Sequence, residues 1–210
     1  MPGSEEILAG LQRIANEAFL YAVLWHVAVA AVLVAMTYWS APSPRVMGAV
    51  AVVPLLSVSG FAWAFHNPFN GAVFAILAVT LAVLTWRAPL EPKQRVTWTR
   101  ALGALMIAFA WTYPHFLVGQ SPLAYIYAAP MGLIPCPTLS LVIGFALLGD
   151  CPGGRAWSLT LAGAGAFYAL FGVVRLGVML DLPLLVGAVG LIAREVGSAR
   201  SHAPVGVAAR

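Results

Sequence analysis

Four histidines and two cysteines are the side chains of this 210-residue sequence best suited to hold a metal or attack a bond. His26, His66, His115 and Cys136 lie within or at the ends of long apolar stretches, whereas His202 sits in a polar tail. A thiolate with two or three imidazoles would bind a soft or borderline metal such as Zn²⁺, Cu⁺ or Hg²⁺. Cys136 falls in Pro135-Cys136-Pro137-Thr138, and two prolines in three residues remove backbone donors that a continuous helix needs. A helix broken at membrane depth exposes carbonyls to a cavity, as at transporter substrate and ion sites. Gly132 and Pro130 extend the irregular stretch, and the Thr138 and Ser140 hydroxyls could replace lost backbone bonds. The competing reading is a structural kink around an inert buried cysteine.

Each histidine also has a structural alternative. His26 could bond a neighbouring carbonyl, His66 beside Asn67 and Pro68 could cap a short turn, and His115 after Pro114 could satisfy groups released by a proline kink. Cys151, in Asp150-Cys151-Pro152-Gly153-Gly154, belongs to a turn by composition. At about 1.5 Å of helical rise per residue it is roughly 22 Å from Cys136, too far for a disulfide.

The elements that must position these groups are membrane helices. The chain is 61% hydrophobic and only 9% charged, with net charge +4. A soluble domain is about a quarter charged, so a water-soluble enzyme, a disordered chain and a nucleic-acid binder are poor readings. A bilayer core about 30 Å thick takes roughly 20 apolar residues per helix. Seven such passes are predicted, over 19–39, 46–65, 69–86, 101–118, 126–149, 156–174 and 176–193, with a tight hairpin at Arg175, Gly177, Asp181 and Pro183 between the last two. This is an all-α polytopic bundle.

Basic residues give it a direction, because cytoplasmic loops retain Lys and Arg. With the N-terminus outside, nine of the eleven basic residues are cytoplasmic, and only Arg13 and Arg175 lie on the outer side. The C-terminus, with a flexible tail over 194–210, is then cytoplasmic. His26, His66, Asn67, His115, Cys136 and Asp181 all fall in the outer half.

Residues 1–18 carry Glu5, Glu6 and Glu17 without a basic leader, unlike a cleavable signal peptide. Ser4 is a candidate cap for an interfacial helix with Ile7, Leu8, Leu11 and Ile14 on its apolar face. The seven tryptophans fall mostly near predicted helix ends, an anchor pattern.

Missing residues exclude further chemistries. Lys93, in a charged loop, is the only lysine, so no helix can carry a retinal Schiff base. There is no Gly-Lys-Ser/Thr of a P-loop, hence no ATP hydrolysis by this chain, and no Gly-x-Ser-x-Gly or His-Glu-x-x-His.

Asn67-Pro68 before the third pass, Pro135-Cys136-Pro137-Thr138 in the fifth, and the hairpin with Asp181-Leu182 before Leu184-Leu185-Val186-Gly187 together resemble a bacterial integral-membrane family, domain of unknown function 6064. The resemblance spans roughly residues 60–193. This chain has Leu139 where the family's usual pattern has a second threonine. The resemblance implies a polytopic inner-membrane protein and supplies no activity.

The sequence thus leads to an inner-membrane protein that binds or passes a small solute or soft metal ion at the fifth helix. Cys136, Thr138, His115, His66 and Asn67 are the candidate site, and His26 is a further candidate metal ligand. The alternative is a non-catalytic membrane subunit of a larger complex or homo-oligomer, with His26 and His115 holding haem. An intramembrane thiol enzyme ranks third.

Overall fold

The computed structural model describes residues 3–38, 43–88, 97–149 and 152–201. Lys93, Cys151 and most of the charged tail lie outside them. All regular structure among the described residues is helical, the longer helices being α1 (Ser4–Glu17), α2 (Phe19–Tyr38), α3 (Pro44–Ala64), α4 (Pro68–Arg87), α5 (Thr97–Thr112), α7 (Pro135–Leu148), α8 (Gly154–Leu170) and α9 (Leu182–Ser201), with a single turn, α6 (Tyr125–Ala128), between α5 and α7. Among them, α2, α3, α4 and the stretch Gly154–Arg175 are long and apolar enough to cross a membrane. Their outward faces fit lipid, with Leu20, Val27, Ile76, Val79 and Val174 all largely exposed.

The molecule is built around α7. From Leu139 to Leu147 every side chain is buried, and α3, α5, α8 and α9 pack around it. Small residues set the closest approach: a Cβ on Gly103 of α5 would come within 2.8 Å of the Gly144 carbonyl oxygen of α7. Leu139, Val142, Ile143, Ala146 and Leu147 of α7 join Leu161 and Ala162 of α8 and Leu184, Ala188 and Leu191 of α9 in one apolar core.

The helix limits correct the sequence reading at three places. Pro114 does not kink a helix running to residue 118; α5 stops at Thr112, because the residue before a proline is driven out of the helical region. The doubled proline does not interrupt a helix begun at residue 126. α7 starts at Pro135, so the prolines occupy its first turn, where a missing N–H leaves no intrahelical bond unmade. The last helix starts at Leu182, not 176, since Gly177 with φ +72° turns the chain and Val178 N–H donates to the Gly172 carbonyl.

At 14 residues, α7 is about 21 Å long, short of a bilayer core. The lead-in over 129–134 is irregular chain, and it is buried throughout. Gly132 adopts φ +78° there, and the Trp25 ring lies against its bare Cα.

α1 starts one residue earlier than a Ser4 cap would have it. Gly3 is the N-cap and makes no side-chain bond, while Glu5 and Glu6 occupy the first turn, favourably placed against the helix dipole. Its buried residues Leu11 and Ile14 pack with Ala18 and Ala22 of the α2 end and with Ala128, Leu133 and Ile134. Asn16 then clamps the 113–121 loop, donating to the Phe116 carbonyl at 2.8 Å and accepting from Val118 N–H at 3.0 Å. The tryptophans divide. Trp63, Trp86 and Trp98 are exposed, as headgroup anchors should be, whereas Trp157 is wholly buried.

Candidate functional site

At the start of α7 a cavity of about 610 Å³ opens between α1, the α3–α4 turn and the end of α8. Glu6 and Gly10 line it from α1, His66 and Asn67 from the turn, Cys136 from α7, and Tyr168 and Arg175 from α8 and its extension. The fold therefore brings three of the sequence candidates, Cys136, His66 and Asn67, to one space.

Each owes its position to local backbone chemistry. His66 takes a left-handed conformation, φ +59°, that closes the α3–α4 turn, with its N–H on the Trp63 carbonyl at 3.2 Å. Asn67, rather than His66, caps α4: its Oδ1 accepts from Asn70 N–H at 3.1 Å, and Pro68 follows at the first helical position. Asn70 is buried and accepts a 2.8 Å bond from the Tyr168 hydroxyl.

Cys136 is half-buried, flanked by the buried Pro135 and Pro137. Its thiol donates to Asp181 Oδ2 at 3.3 Å, and the Tyr113 hydroxyl donates to Oδ1 of the same carboxylate at 2.8 Å. Asp181 is 2% exposed. Among the described residues it makes no ion pair, so two neutral donors are its partners. Gly172 makes room for it, since any Cβ there would run into Asp181 Oδ2. Gly172 belongs to a π-helical turn, 171–175, that continues α8; such turns recur at functional sites.

Thr138 lies one turn deeper and is wholly buried. Its hydroxyl donates to the Ile134 carbonyl at 2.7 Å and accepts from Gly132 N–H at 2.8 Å, tying the irregular lead-in to the helix. The sequence leads one to expect bare carbonyls facing a cavity. Thr138 covers the Ile134 carbonyl, and Pro135 and Cys136 are the residues of α7 that line the cavity. Ser140, also buried, has no hydrogen-bond partner for its hydroxyl among the described residues.

The remaining histidines stand elsewhere. Both ring nitrogens of His26 meet carbonyl oxygens, Nδ1 that of Ala22 at 2.8 Å and Nε2 that of Trp111 at 3.0 Å. Neither nitrogen faces an open coordination position. His115 lies in the loop after α5, stacked edge-on against Phe116 with ring centroids 4.2 Å apart, outside the cavity lining. Partial burial pushes its imidazole below the ordinary histidine range. Among the described residues no three His, Cys, Asp or Glu side chains gather closely enough to share a metal ion.

Asp181 and Tyr113 are absent from the sequence-based site. An acid in an apolar chain is a signal in itself, but its partner Tyr113 is 68 residues away and no spacing rule joins them. A second buried polar group, at the other end of α7, is equally invisible in sequence. Arg194 Nη1 donates to the Ala146 carbonyl at 2.6 Å, its Nη2 reaches Glu195 Oε1 at 3.4 Å, and Ser158 donates to the same carboxylate oxygen at 2.8 Å.

Comparison of the chain with protein-family models, with curated proteins and with solved structures returns no match.

Proposed function

We propose that this chain is a seven-helix inner-membrane protein, N-terminus outside and C-terminus cytoplasmic, that binds or passes a small solute or soft metal ion at the start of α7 without hydrolysing ATP. The observation that carries the reading is the cavity lined by Cys136, His66 and Asn67. A buried acid, a thiol and a phenol grouped beside such a cavity are costly in a membrane domain and are kept where a pathway or binding site needs them. In the proposed orientation the cavity opens on the outer side, with α1 as its cover. Membership of the domain of unknown function 6064 family is part of the same proposal and rests on the motifs around Asn67-Pro68 and Cys136. Cys136 and His66 are the residues expected to touch the solute, with Asn67 shaping the turn and Thr138 fixing the backbone behind it.

Two measurements test this. In vesicles containing the full chain, a small water-soluble thiol reagent is expected to modify Cys136; a thiol that stays unlabelled removes the cavity and leaves a scaffold. Uptake of zinc, copper or mercury ions is expected in the same vesicles and is lost in Cys136→Ala. Flux that persists at the parent rate in Cys136→Ala ends the metal version of the reading.

A further inference from the structure

Most of the cavity wall is apolar, with Ile7, Leu11, Phe65, Phe69, Phe171 and Leu176 among its residues. Its volume of about 610 Å³ is that of a site for a drug-sized molecule. A hydrated ion or a sugar would lose water against such a wall without recovering its hydrogen bonds. The amide oxygens on the wall are already engaged, Asn67 Oδ1 by the start of α4 and Asn70 Oδ1 by the Tyr168 hydroxyl. Glu6, His66 and Arg175 are the lining residues with exposed ionisable side chains, and they mark the mouth.

One side of the wall adjoins the membrane face. Phe69, in the first turn of α4, meets Phe167 of α8 with ring centroids 6.5 Å apart, and Phe167 stacks on Phe171 at 6.0 Å. Phe167 is exposed and is not part of the lining, and both helices are long and apolar enough to span a membrane. An aromatic row therefore leads from the lipid-facing surface to the cavity. On the opposite side, Gly10 of α1 lines the cavity, and a Cβ there would meet nothing within 4 Å. The space beside α1 is open.

Resting on the cavity reading above, we propose that the solute is a single-chain zwitterionic amphiphile of the lysophospholipid class, taken from the surrounding membrane. Its chain lies against the phenylalanine wall, where burial of apolar surface supplies the affinity. The volume suits one acyl chain and not a pair. Its head stays at the mouth, where the wall offers one full positive charge, Arg175, and one negative charge, Glu6, from different helical segments. A phosphate meets the guanidinium and an ammonium meets the carboxylate. A purely anionic or purely cationic head would find a partner for one of the two and repulsion from the other.

The test uses the full chain with Cys151→Ser, so that Cys136 is the sole thiol, in vesicles of two-chain phosphatidylglycerol. The probe is a lysophosphatidylcholine with a photoreactive diazirine on its chain. Illumination is expected to attach it to cavity-lining residues of α1, the α3–α4 turn or 171–176. Excess unlabelled lysophosphatidylcholine is expected to suppress that attachment and to slow modification of Cys136 by a water-soluble thiol reagent. Gly10→Phe places a ring in the open space and is expected to abolish attachment at these residues. Glu6→Gln and Arg175→Gln are each expected to lower it by about threefold, and palmitate, which lacks the ammonium, is expected to compete more weakly than the zwitterion. Attachment that excess lysophosphatidylcholine does not suppress, or that persists in Gly10→Phe, is bulk lipid contact and overturns the proposal. Palmitate that competes as well as lysophosphatidylcholine overturns the zwitterionic head. No attachment, although the reagent modifies Cys136, overturns the amphiphile and leaves the cavity reading intact. A thiol closed to the reagent in vesicles without the probe removes the cavity reading as well.

Discussion

The two ends of α7 handle buried polarity in opposite ways. At its C-terminal end Arg194, Glu195 and Ser158 neutralise and bond one another, and the guanidinium also closes the Ala146 carbonyl that the helix end leaves open. At its N-terminal end Asp181 has only neutral donors, and one of them, Cys136, lines a cavity. The first arrangement pairs its opposite charges within the chain and serves stability. The second is stable only against a cost, which is the mark of a group retained for binding.

Breaking the closed end should have the largest effect. Glu195→Ala leaves the buried Arg194 guanidinium without that carboxylate and is expected to destabilise the protein by about 3 kcal/mol, read as a lowered unfolding midpoint in detergent. Thr138→Val comes next. It keeps the side-chain shape but strips the bonds to Gly132 N–H and the Ile134 carbonyl, for an expected loss of about 2 kcal/mol. Cysteine labelling should also quicken in this variant as the lead-in loosens. The smallest change is expected at the open end, and with the reverse sign. Asp181→Asn removes a buried acid that has no ion partner among the described residues, and should leave stability unchanged or raise it by up to about 1 kcal/mol. A large loss of stability in Asp181→Asn, matching that in Glu195→Ala, would erase the distinction between the two ends.

Some of this contrast is legible in the sequence. The apolar runs locate the helices because burial in lipid or in a helical core imposes length and composition, and α2, α3 and α4 fall within a few residues of expectation. Pro135-Cys136-Pro137 marks irregular backbone correctly, yet the break lies before Pro135 and not within the helix. A proline's local cost depends on which turn it occupies, and that is decided by where the preceding chain can be buried. That Cys136, His66 and Asn67 fall at the ends of apolar segments is visible in the sequence. Their sharing of one cavity, with His115 and His26 outside it, was not.

Composition and periodicity alone determined an apolar, helical, membrane-compatible chain, since those properties follow from the cost of exposing apolar surface to water or polar backbone to lipid. Only the tertiary structure decided that α7 is the central helix, that Gly172 yields its side-chain space to Asp181, and that this acid meets Tyr113 and Cys136. Contacts between residues 45 and 68 positions apart depend on how whole helices pack. Packing is set by the summed shape of many side chains, a quantity that no local stretch of sequence contains.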